Sequence, residues 1–200
     1  MKRTGVVLAL TLGMMAQSAM AKTLNVVASF SILGDMVSQI GGEHVKVTTL
    51  VGPDGDPHTF EPSPKDSAAL AKADVVVVNG LGLEGWLDRL VSASGFTGPL
   101  VVASQGVETH MLDEDGETVT DPHAWNSAGN GVRYAQTILA ALIKADPEDE
   151  AALNASGQCY IAQLQQLDNW AKARFSAIPE AKRKVLTSHD AFGYFGRAYG

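Results

Sequence analysis

The chain has 200 residues and a mass of 21.0 kDa, enough for one ordinary domain or two small ones. It is 46% hydrophobic and 18% charged, with 20 Gly and 8 Pro, a globular composition that excludes wholesale disorder, collagen and coiled coil. Lys and Arg total 15 against 22 Asp and Glu, a net charge of −7. That balance speaks against nucleic-acid binding and against a polybasic membrane contact, and it suits a cationic ligand. Cys159 is the single cysteine, so no disulfide forms within the chain and no Cys-rich metal cluster exists.

Residues 1–21 read as an export signal. Met1-Lys2-Arg3 is a short positive start, Gly5 to Ala16 is an apolar run, and Ala19-Met20-Ala21 is the small-x-small pattern cut by signal peptidase. Cleavage after Ala21 predicts a mature chain beginning at Lys22 and a periplasmic location. No cysteine lies near that cut, so lipid anchoring is not expected, and no later segment is apolar for long enough to insert in a membrane.

Beyond the signal, strand-like and helix-like stretches alternate. Leu24 to Ala28 predicts a strand, Ser31 to Ile40 a helix closed by Gly41-Gly42, and Val45 to Val51 a half-buried strand. A turn-rich loop, Gly52 to Pro62, leads to Ser63-Pro64-Lys65-Asp66, a capping box with proline at the first helical position. Asp74 to Val78 is a continuous apolar run, the mark of a strand covered on both faces. Glu84 to Ala93 reads as helix, Leu100 to Ala103 as strand, and Gly106 to Asp121 as an acidic, poorly patterned loop. A helix is predicted from about Gly131 to Ala145. After Asp146-Pro147, small or apolar residues recur at alternating steps of four and three up to Pro179, which predicts one long helix. Lys184 to Ser188 restarts a strand pattern, with Asp190 to Tyr199 helical behind it. The alternation predicts an α/β fold with a parallel sheet and helices on both sides.

Of the five histidines, His44 and His110 read as solvent-exposed. His58, His123 and His189 each follow a strand, where ligands bind in open parallel sheets. Neutral imidazole is a common ligand for zinc and other transition metals, so these three are candidate metal ligands. Three unrelated loop histidines remain the alternative on spacing alone. Gly80-Leu81-Gly82-Leu83-Glu84-Gly85 fits G-x-G-x-x-G, but the next strand ends in Ala103-Ser104 with no acid to hold a ribose. The glycines are therefore expected to form a tight turn that tucks Trp86 inward.

Four motifs taken together resemble a known family. They are Asp56-Pro57-His58-Thr59-Phe60-Glu61-Pro62, Asn79 to Trp86, Asp121-Pro122-His123-Ala124-Trp125 and Thr187-Ser188-His189-Asp190-Ala191-Phe192-Gly193-Tyr194-Phe195. In this order they resemble the periplasmic substrate-binding proteins of ABC transporters for zinc and manganese. The resemblance implies two parallel-sheet (βα) lobes joined by one long helix, with the second lobe incomplete in this chain. The division would be residues 22–146 for the first lobe, 147–178 for the linking helix and 179–200 for the start of the second. It implies a metal held by His58, His123 and His189, with a fourth, carboxylate ligand beyond residue 200.

Manganese-type relatives tend to carry a carboxylate at the third position, where His189 stands here. The expectation is therefore zinc (Zn2+), with manganese (Mn2+) or mixed zinc, manganese and iron binding as the alternative. The expected partner is an inner-membrane metal ABC permease, and the expected state is a monomer that performs no chemistry. A rival reading is a zinc hydrolase with three His ligands and Glu61 or Asp190 as general base. The His-rich loop of zinc-type relatives is replaced by a short acidic stretch with His110 alone, so metal collection by that loop is not expected.

Overall fold

A computed structural model describes residues 22–200 apart from Asp115; the signal-peptide reading lies outside the described residues. Its centre is a four-stranded parallel sheet in the order β2-β1-β3-β4, made of β1 (Leu24–Phe30), β2 (Val45–Val51), β3 (Val75–Val78) and β4 (Leu100–Val102). Val26 is paired with Val47 on one side and Val75 on the other, and Val77 with Val101. All four valines of β3 are buried, as a strand sandwiched between helices requires.

The strand order dictates where the helices lie. The chain moves one way from β1 to β2 and the other way from β2 to β3 and β4, and right-handed crossovers then place the connecting helices on opposite faces. Accordingly α1 (Ser31–Gly41) packs against α4 (Ala128–Ala145), while α2 (Pro64–Leu70) packs against α3 (Leu87–Ser94). The capping box at Ser63 is formed, with the Asp66 carboxylate accepting from the Ser63 N–H and hydroxyl, both at 2.7 Å. The reversal of direction falls between β1 and β3, which opens a crevice at their carboxyl ends.

That crevice is built on the turn between β3 and α3. Gly80, Leu81 and Gly82 all have positive φ (79°, 58° and 86°), a path that glycine adopts freely and Leu81 only under strain. The buried Glu84 carboxylate fastens it, accepting from the Ser29 hydroxyl (2.7 Å), the Asn79 N–H (2.7 Å) and the Gly80 N–H (3.0 Å). Burial pushes the Glu84 carboxyl up, against the pull of those donors. Asn79 is fully buried too. Its Oδ1 accepts from the Tyr134 hydroxyl at 2.6 Å, and its backbone carbonyl accepts from Ser104 Oγ at 2.6 Å. Trp86 is indeed tucked inward, 2% exposed.

Helix α5 (Glu150–Ser176) follows a short 3-10 turn, Pro147–Asp149, and its 27 residues run about 40 Å. Its first half buries Leu153, Gly157 and Ile161 against α1 and α4. A Cβ at Gly157 would lie 2.7 Å from the Leu139 methyls, so glycine there sets how closely α5 crosses α4. Further along, Leu167 and Trp170 are 50% and 57% exposed. Helix α6 (Gly193–Tyr199) then returns to α5, and the Tyr199 hydroxyl bridges the Ala128 N–H (2.9 Å) and Asp168 Oδ1 (3.1 Å).

Two expectations are corrected. Residues 184–188 form no strand, because no described strand lies beside them to pair with, and Val185 and Leu186 stand 83% and 98% exposed. The acidic loop is not unpatterned either. It holds an antiparallel hairpin, β5 (Met111–Glu114) with β6 (Glu117–Thr120), in which Met111 pairs with Thr120 and Leu112 with Val119. The Asp115-Gly116 pair is a hairpin signal, and Gly116 has the positive φ, 84°, that it calls for.

Two stability measurements check this account. Gly157→Val is expected to lower unfolding stability by about 1–3 kcal/mol through overpacking against Leu139; a urea midpoint equal to wild type would refute the close crossing. A buried carboxyl raised above its ordinary value makes the native state bind more protons than the unfolded chain, so its contribution falls as pH rises. Urea titrations of wild type and Glu84→Gln across that rise should show a declining stability in wild type that the variant lacks.

Candidate metal centre

His58 and His123 lie in loops of the same design. Each is the third residue of an Asp-Pro-His tripeptide whose aspartate accepts the backbone N–H of the histidine: Asp56 from His58 and Asp121 from His123, both at 2.9 Å. Each intervening proline carbonyl is then held by the β3–α3 turn. Trp86 Nε1–H donates to the Pro57 carbonyl at 2.8 Å, and Asn79 Nδ2–H to the Pro122 carbonyl at 2.9 Å. The glycine-rich turn is thus no nucleotide cradle; it is the clamp that sets two histidine loops.

Aromatic packing completes the wall. Phe60 meets Trp86 edge to face at 5.0 Å, and Trp125 lies between Phe30 (4.9 Å) and His123 (5.3 Å). His189 arrives from the other direction, on the segment between α5 and α6. Its carbonyl accepts from Thr187 Oγ1 and the Ala191 N–H, and Asn126 Nδ2–H fixes the Ala191 carbonyl at 2.7 Å.

The three rings converge. His123 Nε2 lies 3.1 Å from His58 Nε2 and 3.0 Å from His189 Nε2, and all three ligand atoms fall within 4.8 Å of one another. Burial grades across the site: His123 is 3% exposed, His58 half-buried and His189 exposed. Tetrahedral coordination at ~2.0–2.1 Å per nitrogen places ligand atoms about 3.3 Å apart, so these separations fit one small ion. The donor chemistry fits as well. Asp121 Oδ1 sits 2.8 Å from His123 Nδ1. Burial works against ionisation of Asp121, but the ring and backbone N–H groups of His123 outweigh it and hold the carboxyl below its usual range. A carboxylate only accepts, so His123 Nδ1 carries the proton and Nε2 presents its lone pair to the cluster. The His58 N–H likewise holds Asp56 low.

All three predicted ligands therefore meet at one point. Among the described residues the cluster consists of these histidines, and Glu61 and Asp190, the bases of the hydrolase reading, are solvent-exposed and outside it. The other two histidines depart from expectation. His44 is largely covered, with Nδ1 2.7 Å from Asp149 Oδ2 at the start of α5. His110 is buried beside Tyr194, because the hairpin folds its base against α6. Sequence reasoning did not find Asp56, Asp121, Asn79 or Glu84. The repeated Asp-Pro-His tripeptide was the available signal for the two aspartates.

Residues 26–200 match the family model described as ZnuA, zinc-uptake complex component A, periplasmic. The manganese-binding lipoprotein MntA of Halalkalibacterium halodurans is 40% identical over 178 residues, covering 88% of this chain and 58% of that protein. The iron ABC transporter substrate-binding lipoprotein MtsA of Streptococcus pyogenes is 35% identical over 191 residues, 92% of this chain and 62% of its own length. The chain thus spans about three-fifths of the curated relatives it matches.

Among solved structures, a zinc-bound deletion mutant of ZnuA superposes with a TM-score of 0.82 at 31% identity, covering 89% of this chain and 67% of that one. A manganese-bound periplasmic metal-binding protein from Candidatus Liberibacter asiaticus does so at 0.79 and 27%, covering 88% and 66%. With its α/β fold, parallel sheet and long helix, this chain belongs to the ZnuA family of periplasmic metal-uptake components.

Proposed function

We propose that this chain is the metal-holding part of an extracytoplasmic receptor that binds a divalent transition metal and delivers it to an inner-membrane ABC permease. The observation that carries the reading is the convergence of three imidazoles, two of whose Nε2 atoms lie within 3.1 Å of the Nε2 of His123, whose tautomer a carboxylate fixes. The ion is cargo, so the site needs donors and no acid–base machinery; the cluster contains no paired carboxylate for hydrolysis. In this reading residues 22–146 are one lobe, 147–178 the linking helix and 179–200 the opening of a second lobe. The exposed Leu167, Trp170, Val185 and Leu186 support that division. Residues 1–21, cut after Ala21, would be the export signal.

Manganese is the favoured cargo. The two curated relatives named above are described as manganese-binding and iron-transporting lipoproteins, and a manganese-bound structure superposes on this chain, as does a zinc-bound one. Zinc is the second reading, and the donor set speaks for it: three imidazoles suit zinc better than manganese, which prefers carboxylate and water. Any such site binds zinc more tightly than manganese in a test tube, so cargo is decided by which metal the protein meets. Metal analysis of the protein isolated from cells grown with both ions tests the point. A manganese-loaded protein supports the first reading, a zinc-loaded one the second, and a metal-free protein that also fails to take up either ion would sink both.

Three outcomes follow on the isolated chain. Calorimetry should show one ion per chain, weakened at least about tenfold by His189→Ala and more by His123→Ala. Affinity should fall as pH drops from 7 to 5, since ligand imidazoles must be unprotonated; constant affinity over that range would argue against histidine ligation. In His189→Glu, the ratio of manganese to zinc affinity should rise because a harder oxygen donor replaces a nitrogen.

A further inference from the structure

His110 is a buried group that the site as described does not use. It lies at the base of the β5–β6 hairpin, its side chain 8% exposed, its ring 4.1 Å from that of Tyr194. Nδ1 is 3.4 Å from the Met111 carbonyl. Nε2 makes no hydrogen bond and points at Asp121 Oδ2, 3.4 Å away. The opposite oxygen of that carboxylate is the one bound to His123 Nδ1. The backbone ties the same groups together, with the Asp121 N–H donating to the His110 carbonyl and the Tyr194 hydroxyl to the Asp121 carbonyl, both at 2.9 Å. Over the contact sits Gly193. A Cβ there would fall 2.4 Å from His110 Cε1 and 2.7 Å from Asp121 Oδ2, so a side chain would be driven between the two.

A buried ring nitrogen without a partner is left with its desolvation cost uncompensated, and such a group calls for an explanation. Here a carboxylate oxygen lies a few tenths of an ångström beyond good hydrogen-bond distance. We propose that His110 is a positioning residue of the metal centre: its Nε2–H engages Asp121 Oδ2, locking the carboxylate and, through it, the His123 ring in the metal-binding orientation and tautomer. The inference rests on the metal-receptor reading above. One carboxylate then serves two histidines, the first a ligand and the second its brace. Outer partners of this kind change metal affinity by about 10–100-fold.

The test separates a brace from mere packing. His110→Phe keeps a ring against Tyr194 but has no N–H; His110→Gln keeps a donor. Zinc affinity is read by competition with a chromophoric chelator at neutral pH, and the His123 tautomer by nitrogen-15 NMR on the metal-free chain. His110→Phe should bind zinc about tenfold more weakly and lose the pure Nδ1–H tautomer of His123. His110→Gln should stay within about threefold of wild type and keep it. Wild-type affinity and tautomer in His110→Phe would overturn the proposal, as would equal losses in the Phe and Gln variants. Should His110→Phe not fold, Gly193→Ala carries the test, since its Cβ parts His110 from Asp121; wild-type affinity there is equally fatal. If wild type itself takes up neither zinc nor manganese, the receptor reading fails and the tautomer measurement alone decides the role of His110.

Discussion

Two hydrogen bonds from one turn organise this molecule's chemistry. Asn79 and Trp86, seven residues apart at the end of β3, each donate to the carbonyl of a proline that immediately precedes a candidate ligand histidine. Proline fixes its own φ and brings only a carbonyl to the bargain, so holding that carbonyl fixes the entry of the next residue. The turn in turn rests on the Glu84 carboxylate, the Tyr134 hydroxyl and the Ser104 hydroxyl, all in the interior. Loops 65 residues apart in sequence are thereby brought within 3.1 Å at the ring nitrogens.

The sheet could be read from the chain because its signals are local. Four consecutive valines in β3, the alternation of Val45 to Val51 and the Ser63-Pro64-Lys65-Asp66 cap each depend on neighbours a few residues away. The candidate ligands stood out for a different reason: four motifs carried a family resemblance, and His58, His123 and His189 all follow predicted strands, although the one before His189 does not form. What could not be read was long-range. Asp121 becomes a support for His123 only through its side-chain rotamer, and Glu84 looks like an ordinary surface acid at a helix start until Ser29, 55 residues earlier, donates to it. His110 failed as a surface residue because burial there depends on α6 folding back over the hairpin. The strand expected at residues 184–188 failed because alternation supplies only half of a strand; the other half is a partner.

The structure also shows why donor geometry and cargo are separate questions. Spacing, tautomer and burial all fit a small divalent ion, and they would fit zinc and manganese alike. The acidic character of the chain, net −7 overall, favours a cation over an anion without choosing between the two metals. Selection has to come from ligand hardness and from supply, and His189 is the position where one substitution changes the first of these.

The three candidate ligands are not equally anchored, and for a bound metal that asymmetry would have a kinetic consequence. His123 is buried beside Trp125 with the Asp121 carboxylate behind it, whereas His189 is exposed on an irregular segment tied to the body through the bond from Asn126 to the Ala191 carbonyl. A tridentate chelate of uneven stiffness exchanges its ion stepwise, the softest arm leaving first and re-binding many times before the others let go. Were these three histidines to hold a metal, capture and unloading would run through the same door in opposite order: the ion would meet the exposed imidazole early and the buried one last, and a competing ligand would displace His189 while His123 still held.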